Sequence, residues 1–141
     1  MGVGDDLKVS WKDGFSVGDE LIDSQHRAFF DDVNFVAAQL DGDNPRDAVI
    51  AFYRKFFRSL VQHFRDEEAM LARIDYSDLD NHKAEHEALL AAVSAFEGLL
   101  LTGDSLHELR FVIKRLFVAL VEHLVTEDMR YKTWVLRAQG L

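Results

Sequence analysis

The chain has no cysteine, and that single absence removes disulfides, thiolate zinc sites and iron–sulfur clusters together. Any metal it holds must sit on nitrogen and oxygen. Proline occurs once, at Pro45, so long helices can run without an internal breaker. No stretch approaches the roughly 18 apolar residues of a membrane span, and the opening MGVGDDLKVSWKDG carries acids early, unlike a secretory signal. A cytoplasmic protein with no membrane insertion is expected. Positive charge is scarce as well. Sixteen Lys and Arg stand against 25 Asp and Glu, and the net charge of −9 repels phosphate backbones, so no nucleic-acid partner is expected. At 141 residues, one domain spanning 1–141 with a single core fits the length.

What is present is helical periodicity. Breakers fall at intervals that leave four segments, each too long for a strand. The first is expected from about Asp19 to Leu40, ending at Asp41-Gly42-Asp43-Asn44, with residues 1–17 as an N-terminal arm. The second starts at Pro45 behind an Asn44 cap and runs to about Ile74. Asp75-Tyr76-Ser77 makes a turn, and the third covers about Asp78 to Leu101 before Gly103. Ser105 and Glu108 read as a capping box opening the fourth at about Leu106, which runs past Asp128.

Apolar residues recur at alternating steps of three and four, for example Ile22, Phe29, Val33, Val36 and Leu40, then Leu109, Ile113, Leu116 and Leu120. With short connections this predicts an all-α, up-down-up-down antiparallel four-helix bundle.

Polar residues interrupt those stripes at one level. His26, His63 with Glu67, His82 with His86, and His123 occupy core positions on four helices. At 1.5 Å per residue they fall between roughly 8 and 16 Å from the same end of the bundle. Five imidazoles with two carboxylates exceed the needs of one ion and suit iron, so the residues point to a di-iron protein. His107, roughly 24 Å along the helix from His123, is read as a surface residue. Each piece has a plainer reading: a lone core histidine is usually just hydrogen-bonded, and His63/Glu67 at i,i+4 is a common helix pair. The joint case outweighs these, because burying the whole set without a metal carries a large desolvation cost. Tyr53, Tyr76 and Tyr131 read as packing groups or supports for the ligands. On an ideal helix the partner of His123 is Glu127, about 40° round, whereas Asp128 is about 140° away.

Trp11 with Phe15, Asp23-x-Gln25-His26, His63-x-x-x-Glu67, His82-x-x-x-His86 and His123-x-x-x-x-Asp128-x-x-Tyr131 together resemble the hemerythrins, most of all their single-domain bacterial form. The resemblance selects Asp128 over Glu127, which a locally wide helical turn would reconcile. It implies that His82, His86 and His123 hold one iron and His26 and His63 the other. Glu67 and Asp128 would bridge them beside an oxo or hydroxo group. Dioxygen would bind reversibly at the open position of the second iron, for carriage, storage or delivery without an enzymatic reaction. Phe29, Phe64, Leu120 and Leu124 would wall the dioxygen pocket. Some members carry a large aromatic where this chain has Ala119, which implies a roomier pocket or one filled by Trp11 or another side chain.

Three other functions compete with this one. A di-iron enzyme acting on peroxide or nitric oxide is one, but the ferritin-like motif Glu-x-x-His is missing from every histidine. An oxygen or redox sensor would need a separate signalling partner, as a carrier would need an oxygen-consuming enzyme. A histidine phosphotransfer bundle requires an exposed histidine, not a buried layer.

Overall fold

In a computed structural model of the chain, which describes residues 9–102 and 106–141, four helices form the bundle. They are α1 (Glu20–Leu40), α2 (Pro45–Arg73), α3 (Leu79–Thr102) and α4 (Leu106–His123). A 3-10 turn, Asp13–Phe15, precedes them. After α4 the helix widens over Leu124–Asp128 into a π-helical turn, tightens over Met129–Tyr131, and resumes as α5 (Lys132–Ala138). There is no strand among the described residues. No helix among them is long and apolar enough to cross a membrane.

Helix ends follow local chemistry. Asp19 caps α1 by accepting from the Ile22 amide at 3.1 Å. Pro45 opens α2 at the position where a missing amide costs nothing, but Asn44 makes no side-chain cap bond there, contrary to expectation. At the far end of the bundle, Arg110 donates to the Leu40 carbonyl at 2.7 Å and Arg46 to that of Leu100 at 2.9 Å, placing cations at helix C-termini. Gly103 and the proposed Ser105 cap lie outside the described residues, as do the first eight residues of the arm.

Two apolar clusters fill the interior. The larger joins all four helices through Val33, Leu40, Phe56, Val93, Phe96 and Ile113 among others. The smaller, at the opposite end, joins Val17, Ile22, Leu71, Tyr76, Tyr131 and Val135. Phase differs from the expected stripes at two places: Phe30 is buried beside half-buried Phe29, and Phe117 beside half-buried Leu116.

The arm is pinned to the smaller cluster by Asp23. Its carboxylate accepts from the Ser16 hydroxyl at 2.5 Å and from the buried Val17 amide at 2.8 Å. Gly18 follows at φ 91°, and a Cβ there would approach the Leu136 side chain to 3.1 Å. Replacing Asp23 with alanine would leave the Val17 amide buried and unsatisfied. The expected loss is about 1–3 kcal/mol by urea unfolding, with Asp23→Asn losing less because one acceptor remains. An unchanged midpoint in Asp23→Ala would refute that role.

Candidate metal centre

The smaller and larger apolar clusters are separated by a polar layer to which all four helices contribute. His26 comes from α1, His63 and Glu67 from α2, His82 and His86 from α3, His123 from α4, and Asp128 from the π-helical turn. All seven expected residues meet there. Six are buried, and the His63 side chain is 13 % exposed.

The two carboxylates divide their oxygens between two groups of imidazoles. Glu67 Oε1 lies 2.5 Å from His82 Nε2 and 3.1 Å from His86 Nε2, and Asp128 Oδ1 lies 3.1 Å from His82 Nε2 and 3.0 Å from His123 Nε2. The other oxygens face the opposite way. Glu67 Oε2 is 3.5 Å from both His26 and His63, and Asp128 Oδ2 is 3.2 Å from His26. Two overlapping ligand sets result, one of Glu67, Asp128, His82, His86 and His123, the other of Glu67, Asp128, His26 and His63.

Asp128 rather than Glu127 completes both sets, so the spacing preference for Glu127 is overturned. The cause is the wide turn over Leu124–Asp128, where i→i+5 bonding returns a residue five positions on to the face of His123. Glu127 is half-buried and pairs instead with Arg130 at 3.3 Å.

A second ring of residues orients the imidazoles, and of these Gln25, Asp66 and Glu68 were not singled out as site residues from the sequence. Gln25 Nε2 donates to Asp66 at 2.8 Å, which turns Gln25 Oε1 toward His63 Nδ1 at 2.7 Å. The carboxylate of Asp66 only accepts, so the amide has one sensible orientation and His63 must donate through Nδ1. Its Nε2 lone pair is thereby left facing the layer. Glu68 accepts from His86 Nδ1 at 2.8 Å and does the same for that ring. Phe64 stacks flat on His86 at 3.8 Å and 9°. Tyr131 donates its hydroxyl to Glu67 Oε2 at 3.2 Å. The available signal was adjacency: Gln25 and Glu68 each stand beside a candidate ligand.

Without a cation the layer must balance its own charge. Burial alone would depress His26 and His82, but Asp128 and Glu67 raise them to about 9 and about 10. Burial pulls His63 down to about 4. Burial would also lift Asp128, yet the surrounding imidazoles bring it down to about 2, and Glu67 well below the ordinary range. Burial and the two carboxylates push the Tyr131 hydroxyl far up, so it keeps its proton. Even so, His26 Nε2, His123 Nε2 and Asp128 Oδ1 are buried with no hydrogen-bond partner. Five nitrogen donors and two bridging carboxylates, with orphaned atoms on both, fit a pair of borderline cations.

A cavity of about 460 Å³ adjoins the layer between α1 and α2. His26, His63, His123 and Asp128 form its inner end, and Phe29, Phe64, Leu120 and Leu124 all line it. Neither Ala119 nor Trp11 is among its lining residues. Ala119 is exposed, and Trp11 packs on Phe15 and Phe30 at 5.9 and 5.7 Å.

The sequence profile of the hemerythrin HHE cation binding domain matches residues 17–135. The chain is 28% identical over 123 residues to hemerythrin subunit alpha of Lingula reevii, covering 87% of this chain and 92% of the relative. It is 28% identical over 128 residues to a bacteriohemerythrin of Clostridium acetobutylicum, covering 86% and 96%. A myohemerythrin of Sipunculus nudus is 30% identical over 122 residues, covering 86% and 89%.

The electrostatics predict a pH optimum for the metal-free chain. His26 and His82, raised from 6.5 to about 9 and about 10, stabilise it fully below pH 6.5, and that contribution is lost as pH rises through those values. His63, lowered from 6.5 to about 4, contributes fully above pH 6.5 and loses this as pH falls toward 4. The melting temperature should therefore peak near pH 6.5 and fall on both sides. Metal-bound imidazoles are neutral, so loading should flatten the alkaline limb. An equally steep alkaline limb in metal-loaded protein would mean that the imidazolium–carboxylate pairs persist and no cation lies among them.

Proposed function

Since the chain belongs to the hemerythrin family, we propose that it binds dioxygen reversibly at two iron ions held in the buried layer. The observation that carries this reading is the division of the Glu67 and Asp128 oxygens between three histidines on one side and two on the other. His82, His86 and His123 would hold one iron, and His26 and His63 the second, with Glu67 and Asp128 shared between them. Two histidines against three would leave the His26/His63 side as the one open to dioxygen. An iron pair bound there would supply the two electrons that reversible dioxygen binding requires.

The chain's own groups then do the orienting and the shielding. Gln25 and Glu68 fix the tautomers of His63 and His86. Phe64 holds the His86 ring in plane. Leu120 and Leu124 on the cavity wall would keep water and its protons from the inner end. Tyr131 positions Glu67 and supplies no proton, because burial and two carboxylates hold its hydroxyl neutral. Residues 1–141 act as one domain.

The deciding experiment is elemental analysis with optical spectra of iron-loaded protein. Two irons per chain are expected, and a spectrum that appears in air and vanishes under vacuum. One metal per chain, or irreversible bleaching in air, would refute the carrier reading. Asp128→Ala should lose the paired centre while Glu127→Ala keeps it. Gln25→Leu should weaken iron binding by about 10–100-fold. Leu120→Ala should retain two irons but shorten the lifetime of the oxygenated protein in stopped-flow spectra. Loss of iron with unchanged decay would instead make Leu120 a structural core residue.

A further inference from the structure

The cavity is much larger than dioxygen requires. At about 460 Å³ it lies within the range of sites for small organic ligands, about 300–1,000 Å³. An apolar protein cavity of about 150 Å³ already takes a benzene molecule, which is itself bigger than dioxygen. The walls between rim and buried layer carry the rings of Phe29, Phe52, Phe56 and Phe64. Phe56 sits 6.1 Å from Phe29 and 5.6 Å from Phe52, so these three rings form a continuous aromatic surface. An aromatic guest gains ring contacts there beyond simple burial.

The outer end is polar and mixed in charge. Ala28, Lys55, Ser59 and Gln62 are exposed at the rim, with Asp32 half-buried among them. Burial raises the Asp32 carboxyl, and Lys55 opposes that shift. An anionic guest would be repelled by Asp32 and a cationic one by Lys55. A neutral hydroxyl suits both, donating to the carboxylate and accepting from the ammonium.

We propose that this cavity binds a neutral, hydroxyl-bearing aromatic molecule of one ring, with the ring among the phenylalanines and the hydroxyl at the Asp32–Lys55 rim. Such a guest stands between solvent and the inner end, so it slows the entry of dioxygen. That consequence rests on the dioxygen reading above, whereas the binding itself does not.

The probe is 4-fluorophenol, added to the protein before and after iron loading and followed by fluorine NMR. Saturable line broadening is expected. Ala28→Trp, at an exposed rim position, should plug the mouth and weaken binding at least tenfold with unchanged iron content. Lys55→Met should weaken 4-fluorophenol more than fluorobenzene, which has no hydroxyl. Stopped-flow mixing of reduced protein with dioxygen should slow when the probe is present. Broadening that does not saturate, or is the same in Ala28→Trp, overturns the proposal. Saturable, Ala28→Trp-sensitive binding to a chain that takes up neither iron pair nor oxygen supports the cavity site while refuting the dioxygen reading. Absence of saturable binding in a protein that takes up oxygen normally refutes the cavity site alone.

Discussion

Two carboxylates buried in the middle of a helical bundle are the constraint on which the rest of this structure depends. Glu67 and Asp128 are at most 1 % exposed, and an isolated ionised carboxylate in such surroundings is too costly to keep. The chain offsets that cost by surrounding them with five imidazoles, which forces at least one polar position onto each of four helices at a common level. That level divides the apolar interior in two. The larger cluster ends near Phe64, Leu89 and Leu120, and the smaller begins at Met70, Tyr76 and Tyr131. Each helix that crosses the layer passes from one apolar region through a ligand position into the other. The bundle therefore has a fixed register, because sliding a helix by one turn would bury a histidine in hydrocarbon and leave a carboxylate unpaired.

The same constraint accounts for the irregular end of the fourth long helix. An α-helix placing His123 in the layer would aim Glu127 beside it and turn Asp128 well away. The wide turn over Leu124–Asp128 reverses that choice. The π geometry is rare and less favourable per residue than the α form, so it persists only where tertiary contacts demand it. Here Asp128 meets three imidazoles on one side of the turn, and the tighter Met129–Tyr131 turn then delivers the Tyr131 hydroxyl to Glu67. Irregular backbone and buried charge are two aspects of one arrangement.

The fold and ligand level were legible because they rest on periodicity. Four long segments, one proline and a repeat of three and four specify a bundle, and rise per residue places the histidines together. Phase was less legible: Phe29 or Phe30, and Leu116 or Phe117, are adjacent apolar residues that no sequence period can rank, and tertiary packing decided between them. The Glu127/Asp128 choice required resemblance, since a π turn has no composition signal in Leu-Val-Thr-Glu-Asp. The orienting roles of Gln25 and Glu68 were illegible for a different reason. Both sit beside ligands on charged helix faces, where an orienting role and ordinary solvation produce the same letters. Only the 2.7 and 2.8 Å contacts to His63 and His86 separate them.

Those two contacts also make the halves of the layer unequal. His86 is 1 % exposed, backed by a carboxylate and covered by Phe64. His63 is backed by a neutral amide, and its 13 % exposed ring joins His26 at the inner end of the cavity. A carboxylate behind an imidazole raises its basicity and donor strength, whereas an amide orients it with little added charge. Under the proposed reading, an iron on His82, His86 and His123 would therefore be the more tightly held of the two. The His26/His63 side offers one fewer nitrogen and a weaker electrostatic backing, and both of its imidazoles face the cavity, where only His123 does so on the other side. Exchange with small molecules would thus be directed to the His26/His63 side by coordination number, support and access together, and Gln25, which both backs His63 and lines the cavity, contributes to the last two.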